Sequence, residues 1–157
     1  LSDVIVAENV SPRDSTPRRW TDFFVQPSAG RLLPGAPVAL LWEIYNLTPD
    51  STAAARYHVD LRIDVKEIER RGFTAKILGG IRDAIGLSAK GDDQVSLSYD
   101  RRVAARPGGT QVDFLKVDLQ NAPEATYGIN LTITDLVSHR VVQKQRQVMV
   151  TKNALTR

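Results

Sequence analysis

Apolar and polar residues alternate strictly through "RYHVDLRIDVK", with Tyr57, Val59, Leu61, Ile63 and Val65 on one side and His58, Asp60, Arg62, Asp64 and Lys66 on the other. A period of two is that of a strand with one buried and one wet face. Six further runs read as strands. "DFFVQP" lies near the start, and "PVALLWEIYNL" sets Val38, Leu40, Trp42 and Ile44 against Glu43 and Tyr45. The turn residues "LTPDST" that follow predict a hairpin into the alternating run. "QVSLSYD" alternates, as does "TYGINLTITDL" with Tyr127, Ile129, Leu131 and Ile133 on one face. In "VDFLKVDL" the apolar set changes face between Phe114 and Leu115, which predicts a bulge there. "VVQKQRQVMVT" carries Lys144 and Arg146 on the face of Val142, Val148 and Val150, as in an edge strand or one whose centre faces solvent.

About seven strands joined by Pro, Gly, Asp and Ser turns predict an all-β fold, an Ig-like or fibronectin-like antiparallel β-sandwich. Trp42 and Tyr127 are expected in its core, Tyr127 as a tyrosine corner. One segment breaks the period. In "RRGFTAKILGGIRDAIGLSAKG" Ile77, Ile81 and Ile85 recur at i, i+4 and i+8 with Leu78 alongside, which predicts a short helical insertion over about 74–87. Thr74 would cap it and Gly86 would end it, while Gly79 and Gly80 weaken it by roughly 1 kcal/mol each. Such a helix needs a surface to cover its stripe, either the open end of the sandwich or a partner. The expected organisation is an extended lead-in and flexible Pro/Arg-rich linker over 1–21, the sandwich over 22–152, and a tail over 153–157.

Together, "LSDVIVA", "PGAPVALLWEIYNL", "RYHVDLRI" and "APEATYGINLTITDLVSHRVVQKQRQVMV" resemble the carboxy-terminal β-sandwich region of bacterial envelope proteins that carry a GWxTD domain. Glu124 and Ala125 stand where the closing motif of that family usually has Gly, and "RWTD" at 19–22 only echoes the family's name. The resemblance implies a periplasmic or secreted module, and it carries over no site residue.

Charge and composition narrow the functional reading. The 21 basic residues exceed the 18 acidic ones by too little, and too diffusely, to indicate nucleic acid. With no cysteine there is no disulfide, thiolate nucleophile or cysteine-bound zinc. No apolar run reaches the roughly 20 residues of a membrane span, so no transmembrane segment is expected. The start "LSDVIVAENV" has no initiator Met, basic n-region or apolar signal core, and Leu1 is therefore expected not to be the translational start.

Nothing in the chain forms a catalytic, cofactor-binding or metal-binding constellation. The two histidines, His58 and His139, fall on an outward strand face and in a turn. Asp60, Arg62 and Asp64 make a charge ladder on one solvated face. "KGDDQ" lacks the spaced ligands of a calcium loop, and neither Gly-Gly pair belongs to a phosphate-binding motif. The chain therefore reads as a non-enzymatic structural or protein-interaction module of the bacterial envelope, with an accessory subunit of a larger membrane-associated assembly as one role. Its alternative is a ligand-binding, for example carbohydrate-binding, sandwich. The expected partner-binding residues are Arg18, Arg19 and Trp20, in a stretch too polar to pack alone, together with Ile77, Leu78, Ile81 and Ile85.

Overall fold

The longest alternating run becomes the longest strand. In the computed structural model, which describes residues 1–28, 30–67, 74–79, 87–89, 94–120, 122 and 124–151, Ala54–Glu67 is a 14-residue strand. In chain order the described strands are β1 (Ile5–Pro12), β2 (Phe23–Pro27), β3 (Arg31–Leu32), β4 (Pro37–Ile44), β5 (Ala54–Glu67), β6 (Thr74–Gly79), β7 (Leu87–Ala89), β8 (Gln94–Ala104), β9 (Gln111–Gln120), β10 (Ala125–Asp135) and β11 (Val141–Val150). All seven runs singled out by periodicity are strands, namely β2, β4, β5 and β8 to β11. The count of about seven falls short by β1, β3, β6 and β7. Of these, β3 and β7 are too short for a period to show, and β1 lies in the segment expected as a lead-in.

The strands build two sheets. One has the order β2-β1-β4-β9-β6, the other β3-β11-β10-β5-β8-β7. Among the described residues every strand pairing is antiparallel except the two-residue contact of β3 with β11. Between the sheets lies one apolar core. Leu40, Trp42, Ile44, Leu115 and Val117 from the five-stranded sheet meet Tyr57, Leu61, Ile63, Tyr127, Ile129, Leu131 and Ile133 from the six-stranded sheet. Trp42 and Tyr127 are fully buried there.

A second apolar cluster lies on the opposite face of the five-stranded sheet. Ala7, Val10, Phe23, Ala39, Leu41 and Val112 form it, with Ile5, Val25 and Phe114 packed against it. Residues 39 and 41 alternate with 38, 40 and 42 along β4, so both faces of this strand are buried. The Phe23 and Phe114 rings meet edge to face at 5.4 Å.

This double burial corrects the expected bulge. β9 runs in unbroken register with β4 from Gln111 to Asp118. Its two apolar sets point to opposite faces, and each face has a cluster to receive them.

The hairpin expected after β4 is also corrected, because β4 and β5 lie in different sheets. The connection is a crossover held by Asp50, whose Oδ1 accepts from Thr52 N at 2.8 Å, Thr52 Oγ1 at 2.6 Å and Ala54 N at 3.1 Å. A true hairpin joins β10 to β11 through residues 136–140. β11 is an edge along most of its length, since β3 reaches only Met149 and Val150.

The predicted helix over 74–87 is not formed where the structure describes that segment. Thr74–Gly79 is β6, hydrogen-bonded to β9, and Leu87–Ala89 is β7, paired with β8. A helix interrupted by two glycines gains little from its own hydrogen bonds, whereas the open side of β9 supplies backbone partners immediately. The β6 register shifts between Ile77 and Gly79. Residues 80–86, including Ile81 and Ile85, lie outside the described residues.

Candidate functional site

Residues 13–22 form a strap at the end of the five-stranded sheet, and its anchor is a buried acid. Glu43 is 1% exposed, on the face of β4 opposite Trp42. Its Oε1 accepts from Arg19 Nε at 3.0 Å and from the Trp20 backbone N–H at 2.7 Å, and its Oε2 accepts from the Tyr45 hydroxyl at 2.6 Å. Burial raises the Glu43 pKa, but these donors outweigh it and hold the carboxyl below the ordinary glutamate value. The hydrogen bond to Glu43 pushes the Tyr45 hydroxyl up.

The strap is tied at its ends as well. Arg13 N donates to Asp22 O at 2.8 Å, and the Asp22 carboxylate accepts from the backbone N–H groups of Arg18 at 2.8 Å and Arg19 at 3.0 Å. The Arg13 guanidinium lies over the Phe24 ring at 4.5 Å.

Between the strap and the turn that leads into β9 is a cleft of about 630 Å³ lined by Thr16, Arg18, Arg19, Ala105, Arg106 and Thr110. Arg106 Nη1 joins its two walls by donating to Pro17 O at 3.3 Å. The Pro107–Gly109 turn on the far wall is fitted tightly to the β4–β5 crossover. Gly109 has φ +59°, and a Cβ there would fall 2.5 Å from Leu47 O.

The expected site residues thus divide. Arg18, Arg19 and Trp20 come together at one end of the sandwich, and Trp20 is 47% exposed although its backbone is anchored. Ile77 and Leu78 belong to β6, which pairs with β9. The polar strap was expected to be a flexible linker; Glu43 supplies what its own sequence lacks.

Sequence reasoning passed over Glu43, Tyr45 and Arg106. An acid inside the otherwise apolar run "PVALLWEIY" is the one available signal, because such a residue needs donors from elsewhere. Arg106 has no local signal. It reaches the strap only through the fold.

Two other polar clusters occur. Asp113 is buried between the sheets, accepting from the Tyr57 hydroxyl at 2.6 Å and from Arg101 Nη2 at 3.2 Å. Burial raises its pKa against the pull of Arg101. On the wet face of the six-stranded sheet, His58 Nδ1 lies 2.5 Å from Asp100 Oδ1 and Nε2 lies 2.9 Å from Ser98 Oγ.

That order of Ser, His and Asp has the connectivity of a hydrolytic triad, but its electrostatics run against one. Asp60 lies 3.3 Å from the same Nε2, and Ser98 Oγ donates to Asp60 at 2.8 Å. Asp100, with Asp60, raises the His58 pKa, and Asp60 offers the Ser98 hydroxyl an acceptor that competes with Nε2. The surrounding backbone N–H groups are held in the β5–β8 ladder rather than gathered toward an oxyanion.

Among the described residues no group of three or more His, Cys, Asp or Glu side chains converges as a metal site, and no helix is long and apolar enough to cross a membrane. Neither a protein-family model nor a curated protein matches the chain.

Proposed function

We propose that this chain is a protein-interaction module, a β-sandwich of immunoglobulin-like or fibronectin-like kind that serves the bacterial envelope as an accessory subunit of a larger assembly. The carrying observation is Trp20, a large aromatic held half in solvent by a strap whose backbone is fixed to a buried glutamate. Aromatic and arginine side chains presented on a rigid support are the usual anchors of a protein interface, because little ordering entropy remains to be lost on association. Tyr45, also partly exposed, is fastened to the same carboxylate. A periplasmic or secreted location and kinship with the sandwich region of GWxTD-domain proteins belong to this reading, supported by the sequence patterns that suggested them.

Capture from native bacterial membranes with the chain as bait tests the reading. Wild-type chain should retain a defined partner, and Trp20→Ala should lose most of it while melting at nearly the wild-type temperature. Equal capture by the folded Trp20→Ala chain would remove the strap as the contact surface. Displacement of the bait by soluble glycans would instead favour a carbohydrate-binding sandwich.

A further inference from the structure

We propose that the cleft between the strap and the Pro107–Gly109 turn seats the carboxylate side chain of an acidic segment in a protein partner, with Arg18 and Arg106 as its two cationic sides. The inference rests on the reading of the strap as a contact surface and adds the chemistry of what it contacts. Three arginines line the cleft. Arg19 is engaged, because Glu43 takes its guanidinium at 3.0 Å. Arg18 and Arg106 form no ion pair with any described residue. Nearby carboxylates have other donors: Asp22 accepts two backbone N–H groups, and Asp113 is held by Tyr57 and Arg101. Two cationic side chains thus line one recess with no carboxylate of the described residues in direct contact, Arg18 acting on Asp22 and Arg106 on Asp113 only at longer range, beside the threonine residues Thr16 and Thr110.

The shape favours a protein side chain. A recess of about 630 Å³ is concave and walled by two loops that Arg106 ties together through Pro17. Guanidinium groups grip carboxylates through paired N–H donors in fixed geometry, which is the use made of arginine at such a position. A bilayer is a flat array of charge, whereas Arg106, half-buried and tied to Pro17, is set back in the recess. Exposed Trp20, on the residue after Arg19, gives the same partner segment an apolar neighbour to lie against.

Titration of the full chain with an end-capped hexaglutamate peptide in low salt is the test, followed by tryptophan emission and calorimetry. Trp42 is fully buried, so an emission change at the cleft reports mainly on Trp20. Binding should saturate and weaken as salt rises. Arg18→Ala and Arg106→Ala should each weaken it at least about tenfold. Arg62→Ala, which removes the same charge from the opposite sheet, should leave it unchanged. Thermal melts identify variants that fail to fold, and Arg18→Lys, which keeps the charge, should recover part of the lost affinity.

Equal loss from Arg62→Ala would mean attraction to net charge alone and would overturn the proposal, as would unchanged binding by the folded Arg18→Ala/Arg106→Ala chain. Inorganic phosphate binding at Arg18 without peptide binding would make this a small-anion site only. Arg18-dependent adsorption to phosphatidylglycerol vesicles without peptide binding would make it a membrane contact. Either would overturn it. Partner capture that depends on Trp20 would survive these failures, and peptide binding would survive a failed capture, so the two readings fail separately.

Discussion

The outer faces of the two sheets differ in kind. On the six-stranded sheet, β5, β8 and β10 present His58, Asp60, Arg62, Asp64, Ser98, Asp100, Asn130 and Thr132 to water or to one another, and the acids there find partners in neighbouring side chains. On the five-stranded sheet the corresponding face holds Ala7, Val10, Ala39, Leu41 and Val112, buried as a second core. Glu43, the buried acid among the described residues of that face, is tolerated because the strap and Tyr45 bring three donors to it. A carboxylate in water needs no particular neighbour. A carboxylate inside a packed face dictates where ten residues of distant chain must lie, and that is how the candidate site comes to be built.

The largest effect should separate the two faces directly. Leu41→Ala, on the outer face of the five-stranded sheet, should cost about 2 to 5 kcal/mol, as much as Leu131→Ala between the sheets. Arg62→Ala on the other outer face should stay within about 0.5 kcal/mol. Urea unfolding measures all three, and a Leu41→Ala cost as small as that of Arg62→Ala would erase the distinction.

Glu43→Ala should come next, at about 2 to 3 kcal/mol, since it leaves Trp20 N–H, Tyr45 hydroxyl and Arg19 with no acceptor. Acid should act on the same point. The folded Glu43 carboxyl is held below its ordinary value, so its stabilisation is complete above the usual glutamate range and is lost as pH falls through the lowered value. Trp20 emission should shift over that fall in wild-type chain and stay flat in a folded Glu43→Gln variant.

Tyr57→Phe should cost less, about 1 to 2 kcal/mol, because Asp113 loses one donor and keeps Arg101. The smallest effect belongs to the wet face. His58 has a raised pKa, so its contribution is full below the ordinary imidazole value and disappears as pH rises through the raised one. His58→Gln should change stability by under about 1 kcal/mol, and NMR titration of the ring should place its midpoint above the ordinary value. A midpoint below it would contradict the Asp60–His58–Asp100 arrangement.

What the sequence determined is what depends on neighbours along the chain. Strict alternation in 57–66 and 127–134 placed β5 and β10 with the correct faces inward, because one side of each is solvated and the period records it. The arginine-rich strap and its exposed Trp20 were also legible, as a segment unable to pack by itself.

Tertiary structure decided the rest. Both faces of β4 are buried, and β9 carries packed apolar residues on both sides at Val112, Phe114 and Leu115, so these residues carry no face label, and period two suggested a bulge where the register is unbroken. Local spacing favoured a helix at Thr74–Gly79, but β9 offered an open edge some forty residues away in sequence, and the segment is a strand. Glu43 meets Arg19 only once β1, β2 and β4 are paired in one sheet, and Arg106 comes across from Arg18 only where the chain passes from one sheet to the other. The difference is physical: periodicity reports the contrast between water and core along one strand, and carries no record of which distant segment completes a buried charge or an open edge.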